Sequence, residues 1–146
     1  IMKETNELLE HIYKDASMGS YTMEHLLEEL KERDNKIKGL AEDILKEYQE
    51  FKSKAKEQLK KENIKLEEDG LIAKMMSTMG ISKEVKKDNS DAAIADMLIK
   101  GVSMGSIEME KKIKDFTKEA NKEDKKLAED FLKFQQKTVD KLKEYL

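Results

Sequence analysis

Apolar residues recur at alternating steps of three and four through stretches of about thirty residues, and no proline interrupts them. That spacing places them on one stripe of an α-helix, because 3.6 residues complete a turn. A chain patterned this way can bury its stripes only by packing helix against helix, so the predicted fold class is all-α. The first helix is predicted over 3–33, with Leu9, Ile12, Ala16, Gly19, Met23, Leu26 and Leu30 on the stripe and Leu8 and Leu27 widening it. A polar break, Arg33-Asp-Asn-Lys36, follows, where Asp34 or Asn35 is the expected cap. The second helix is predicted over 36–65, with Ile37, Leu40, Ala41, Ile44, Tyr48, Phe51, Ala55 and Leu59 inward.

The pattern then occurs again. His11-Ile-Tyr-Lys-Asp-Ala-Ser-Met-Gly-Ser20 aligns with Met97-Leu-Ile-Lys-Gly-Val-Ser-Met-Gly-Ser106, and Leu40-Ala-Glu-Asp-Ile-Leu-Lys46 aligns with Leu127-Ala-Glu-Asp-Phe-Leu-Lys133. The offset is 86 residues for the first pair (Ser17 to Ser103) and 87 for the second (Leu40 to Leu127). A third helix is predicted from Ser90 or Asp91, with Ile94 or Ala95, Leu98, Val102, Gly105, Met109, Ile113 and Phe116 on its stripe. A break at 120–122 precedes the fourth, striped by Leu127, Phe131, Gln135, Thr138, Leu142 and Tyr145. The chain thus reads as one domain, 1–146, made of an α-hairpin written twice (3–65 and 91–146) around a connector, 66–90. In that connector Gly70 and Gly80 bracket a predicted short helix, followed by a polar run from Ser82 to Ser90.

Composition removes several function classes. Charged residues make up 42 % but nearly cancel, with a net charge of −3, so no broad electrostatic case for nucleic acid arises. The chain has no cysteine, hence no disulfide, thiolate metal site or cysteine nucleophile. No apolar run approaches the length of a membrane span and no signal peptide is evident, so a cytoplasmic location is expected.

A helix of about 30 residues is roughly 45 Å long. A connector of about 25 residues can travel that distance, letting the second hairpin enter from the opposite end of a four-helix bundle. Two long hairpins, an internal repeat and a long crossing link together resemble the small ferritin-like four-helix-bundle proteins of bacteria. The resemblance is architectural, spans nearly the whole chain and rests on no diagnostic motif.

Ferritin-like metalloproteins take a Glu from each of two helices and a Glu-x-x-His from each of the other two. The matching segments here are Glu42-Asp-Ile-Leu45 and Glu129-Asp-Phe-Leu132, so leucine stands twice where imidazole is needed. The two histidines, His11 and His25, lie fourteen residues apart off the stripe and are expected to be solvated, with a surface metal or partner site as the alternative. Glu24 and Glu110, aligned by the repeat, are the weak candidates for residual carboxylate ligands, with a solvated face as the plainer alternative. No metal site or cofactor is assigned.

Glycine inside a helix costs about 1 kcal/mol relative to alanine, so Gly19 and Gly105 require a compensating role. The expected one is close helix crossing, the first helix against the third, at Gly19, Ser20, Gly105 and Ser106. The alternative is a small central pocket flanked by those serines and by Met18, Met23, Met104 and Met109. Met75, Met76 and Met79 form an apolar face on the connector, either a lid or a partner patch. No Ser, His and acid spacing and no phosphate loop marks an enzyme. The expected role is therefore non-enzymatic: a structural, binding or interaction protein, with homodimerisation through a bundle face or the methionine connector as the candidate assembly. A ferritin-like metal-binding or oxidative-stress protein with an altered carboxylate site is the alternative.

Overall fold

In a computed structural model of the chain, residues 5–66, 80–81, 83 and 85–146 are described. They are all-helical in their regular structure. Four long helices carry the fold: α1, Glu7–Glu29; α2, Lys38–Lys61; α3, Asp91–Phe116; and α4, Lys122–Lys143. Among the described residues no helix is long and apolar enough to cross a membrane. The predicted connector helix over 71–79, with Met75, Met76 and Met79, lies outside the described residues.

The stripes read from the sequence form the core. Leu9, Ile12, Ala16, Met23, Leu26 and Leu30 from the first helix meet Ala41, Ile44, Tyr48, Ala55 and Leu59 from the second. Leu98, Val102 and Met109 from the third meet Phe131 and Leu142 from the fourth. The closest pairings are α1 with α2 and α3 with α4, and the two hairpins then pack against each other through α1–α3, α1–α4 and α2–α4 contacts.

Hydrogen bonds at the two ends fix how the hairpins face. At one end, the Asn6 side chain before α1 donates through Nδ2 to Glu62 Oε1 (2.8 Å), just past α2, and to Asp124 Oδ2 (2.9 Å), in the first turn of α4. At the other end, Asn35 in the α1–α2 turn donates to Asp91 Oδ1 at 2.9 Å, at the start of α3. The end of α2 and the start of α3 therefore lie at opposite ends of α1. Consequently α2 and α3 run parallel, and so do α1 and α4.

The helix ends differ from the sequence reading in instructive ways. Neither Asp34 nor Asn35 caps α2, whose N-cap position is Ile37 with no side-chain cap of its own. Asp91 reaches this turn from the other hairpin, accepting from Lys36 N (3.2 Å) and Ile37 N (3.4 Å). The backbone leading into α2 is thus held by a tertiary contact, which local sequence cannot reveal. The helix also stops four residues early. Asn63 takes a left-handed φ of 56°, and Ile64 N and Asn63 N donate back to Leu59 O (3.0 Å) and Lys60 O (3.1 Å). This Schellman closure turns Ile64 into the core. The other three helices carry their own caps: Asn6, Ser90 and Asn121 accept from Leu9 N, Ala93 N and Asp124 N. A further correction concerns Gly80, which does not end a helix but is itself helical, as are 81, 83 and 85–87. Ile81 and Val85, four residues apart, are buried by that turn.

Mid-helix, large residues face small ones. Tyr48 and Phe51 of α2 cluster with Phe131 and Phe134 of α4; the Tyr48 and Phe134 ring centres are 4.9 Å apart and edge-to-face. Opposite them, α1 supplies Ala16 and Gly19. A Cβ on Gly19 would stand 2.6 Å from the Tyr48 ring. Gly101, by contrast, has no neighbour within 4 Å of such a Cβ. Replacing Gly19 with alanine should therefore lower stability by about 1–2 kcal/mol, since overpacking outweighs the gain in helix propensity. Gly101→Ala should raise it by roughly 0.5–1 kcal/mol. Urea unfolding of both variants checks this; equal effects would contradict the seat assigned to Gly19.

Candidate functional site

The interior contains a polar cluster at the level of the repeated Ser-Met-Gly-Ser stretch. Asp15, one position before Ala16 on α1, points across to α4, where Gln135 Nε2 donates to its Oδ2 at 2.7 Å. Gln135 is fully buried. The gap between the helices is opened by Gly105: a Cβ there would lie 2.4 Å from Asp15 Oδ2 and 2.8 Å from Gln135 Nε2. Gly105 thus makes room for a side-chain pair, and Gly19 for a ring. The atoms nearest both positions belong to side chains, not to a second helix backbone as the sequence suggested.

His11 belongs to the same cluster, which corrects the expectation of a solvated residue. Its side chain is 15 % exposed, with Nε2 3.8 Å from Asp15 Oδ2. It lies beside the Gly105 backbone of α3, which favours its protonated form without outweighing burial. Burial, then the nearby Lys112 ammonium, lower its pKa, so the imidazole is neutral at pH 7. His25, fourteen residues on, stays nearer the surface, stacked on Tyr21 and 3.8 Å from Glu29 Oε1.

Electrostatically the cluster is short of positive charge. Burial pushes the Asp15 carboxyl up to about 6, opposed only by the Gln135 hydrogen bond. Burial, and then the charge of Asp15, raise the pKa of Tyr48 well above its usual value. The Tyr48 phenol is therefore neutral, and Asp15 is the one group of the three that carries charge at pH 8.

A cleft of about 260 Å³ opens beside Asp15. Met18, Met23, Met97, Tyr48 and Gly101 line it with Asp15, and its exposed surface is mainly apolar. Of the residues expected to flank a central pocket, Met18 and Met23 do so. Met109 is buried elsewhere in the core, and Met104 is 70 % exposed on the outside of α3, beside the exposed Ile107. Ser20 is buried and its Oγ has no hydrogen-bond partner among the described residues, while Ser106 Oγ donates to Ser103 O at 2.9 Å.

The weak metal candidates point outward. Glu24 accepts from Gln49 and Glu110 from Gln136, both at 3.3 Å on exposed faces. Among the described residues no group of three or more His, Asp or Glu is placed to hold a metal ion. A second acidic feature, absent from the sequence reading, lies at the end of the helices. Asp124 is 1 % exposed, and burial, then the Glu62 carboxylate beside it, push its carboxyl up to about 7. Protonated, it can donate to Glu62 while Asn6 donates to both.

No family model matches the chain, and neither any curated protein nor any solved structure is significantly similar to it.

Asp15 has an ordinary carboxyl pKa when unfolded and one near 6 when folded, so its contribution to stability is full below about pH 4 and is lost as pH rises through 6. Asp15→Asn should therefore be more stable than the parent at pH 8, by about 1–2 kcal/mol, with the gap closing towards pH 4. Denaturant midpoints measured across that range check the sign; a gap independent of pH would refute it.

Proposed function

We propose that the protein is a non-enzymatic, ferritin-like four-helix bundle of binding or interaction type, lacking the usual di-iron ligand set. The hairpin directions support the ferritin-like reading, since α2 and α3 run parallel, with the end of α2 and the start of α3 at opposite ends of α1. The observation that carries the functional reading is the interior itself. Among the described residues the mid-bundle level holds one carboxylate, paired with an amide and flanked by a neutral imidazole and a phenol, in place of facing carboxylates. The segments that would supply Glu-x-x-His place Glu42 and Glu129 on the exposed surface, with Leu45 and Leu132 packed against the core.

The alternative, a metal-binding protein with an altered carboxylate site, draws on the His11–Asp15 juxtaposition at 3.8 Å. Two donors of that kind fall short of the coordination number that iron or zinc takes from protein ligands. Exposed Met104 and Ile107 add an apolar spot on α3 suited to contact with a partner.

Elemental analysis of the purified chain, followed by titration with ferrous iron under air, separates the two readings. The bundle reading expects no stoichiometric metal and iron oxidation no faster than in buffer. Stoichiometric iron with accelerated oxidation would establish the alternative.

A further inference from the structure

We propose that the mid-bundle cleft binds a compact organic monocation, an apolar ammonium whose head pairs with Asp15 and whose hydrocarbon body lies on Met18, Met23 and Met97. This inference rests on the binding-protein reading above and names the class of ligand.

The sign of the charge follows from the lining. Among the described residues that line the cleft Asp15 is the one charged group, and no lysine or arginine joins it. Around that carboxylate, each packed element contributes a neutral group: His11 from α1, held neutral by burial and by Lys112; the Tyr48 phenol from α2; the Gly105 backbone from α3; and the Gln135 amide from α4. The outlying charges, Lys14, Glu108 and Lys112, act on His11. Asp15 Oδ2 takes the Gln135 hydrogen bond, and among the described residues no donor reaches Oδ1. A largely desolvated carboxylate, 20 % exposed towards the cleft, with one amide donor and no counter-charge beside it is a costly arrangement, and a protonated amine supplies both the missing charge and the missing donors.

The body of the ligand follows from the walls. Three thioether side chains and the Tyr48 ring offer soft, polarisable surface that suits both hydrocarbon and a cationic head. Space of about 260 Å³ lies at the small end of ligand sites, so the guest is a molecule of roughly ten heavy atoms or fewer. Gly101 keeps the space open, since nothing lies within 4 Å of where its Cβ would be. An anionic guest would face Asp15 with no compensating cation, and a neutral one would leave the carboxylate unpaired.

The test uses the full chain at pH 8 and low salt, with cyclohexylamine, cyclohexanol and cyclohexanecarboxylate as probes of near-equal shape, read by calorimetry and by the thermal midpoint. Cyclohexylamine is expected to bind and raise the midpoint, with at least tenfold weaker affinity for cyclohexanol and none for the carboxylate. Affinity should fall as pH drops below 6. Two variants separate charge from shape. Asp15→Asn keeps the cleft and should lose at least tenfold in amine affinity. Gly101→Met keeps Asp15, fills the cleft and should also lose binding. Potassium chloride at matched concentration should not reproduce the shift. Absence of amine binding, equal binding by Asp15→Asn, or equal binding of the alcohol would each overturn the proposal. Iron oxidation in the separate metal experiment would overturn the non-catalytic reading instead, whatever the amines do.

Discussion

The hydrogen bond from Gln135 to Asp15 is the constraint around which the middle of this protein is arranged. It joins α1 to α4 through the interior, and it exists because α3 carries glycine at 105, where any side chain would collide with both partners. Placing an amide and a carboxylate in a core is costly unless they satisfy one another. The neighbouring groups accommodate this pair without neutralising it: His11 is too desolvated to protonate readily, and Tyr48 retains its proton. The site is therefore poised electrostatically, with its charge set by a single carboxyl.

A second layer of constraint acts at the ends. Asn6 gathers the start of α1, the end of α2 and the start of α4, while Asp91 holds the backbone leading into α2. Each hairpin thus has its turn closed by the beginning of the other. These polar ties are individually modest, but they are directional where apolar packing is not. They select the facing in which α2 and α3 run parallel, and that facing brings Gln135 level with Asp15. The aromatic cluster of Tyr48, Phe51, Phe131 and Phe134 fills the same level from α2 and α4, which is why α1 is narrow there.

The long helices and most of their core positions were legible in the sequence, because a 3-4 apolar rhythm sustained over many turns has one physical reading, while Phe134 and Ala128, beside the predicted stripe of α4, and Ile64, Ile81 and Val85, outside the long helices, were not. Helix ends were less so. The end of α2 depends on Asn63 adopting a left-handed conformation, and its start on an aspartate 54 residues away. The site was hidden for a related reason. Asp15 and His11 stand beside the stripe, where charged residues ordinarily face water, and the space that the Asp15 carboxyl takes is left by a glycine on another helix. One signal was present all the same: Gln135 occupies a stripe position, and a polar side chain on an apolar stripe requires a partner across the core. The aligned Ser-Met-Gly-Ser stretches suggested two equivalent crossings, yet the two glycines seat different things, a ring at Gly19 and a hydrogen-bonded pair at Gly105.

Everything at this level turns on Asp15, a largely desolvated carboxylate at the edge of the core with no counter-charge beside it among the described residues. Carbon-detected NMR of the aspartate carboxyls, followed from pH 3 to pH 8 in the folded protein, measures that directly. The Asp15 signal is expected to titrate with a midpoint about 6, and to move higher still when Gln135→Leu removes the amide donor. A midpoint near 4, the ordinary value for an exposed aspartate, would contradict it.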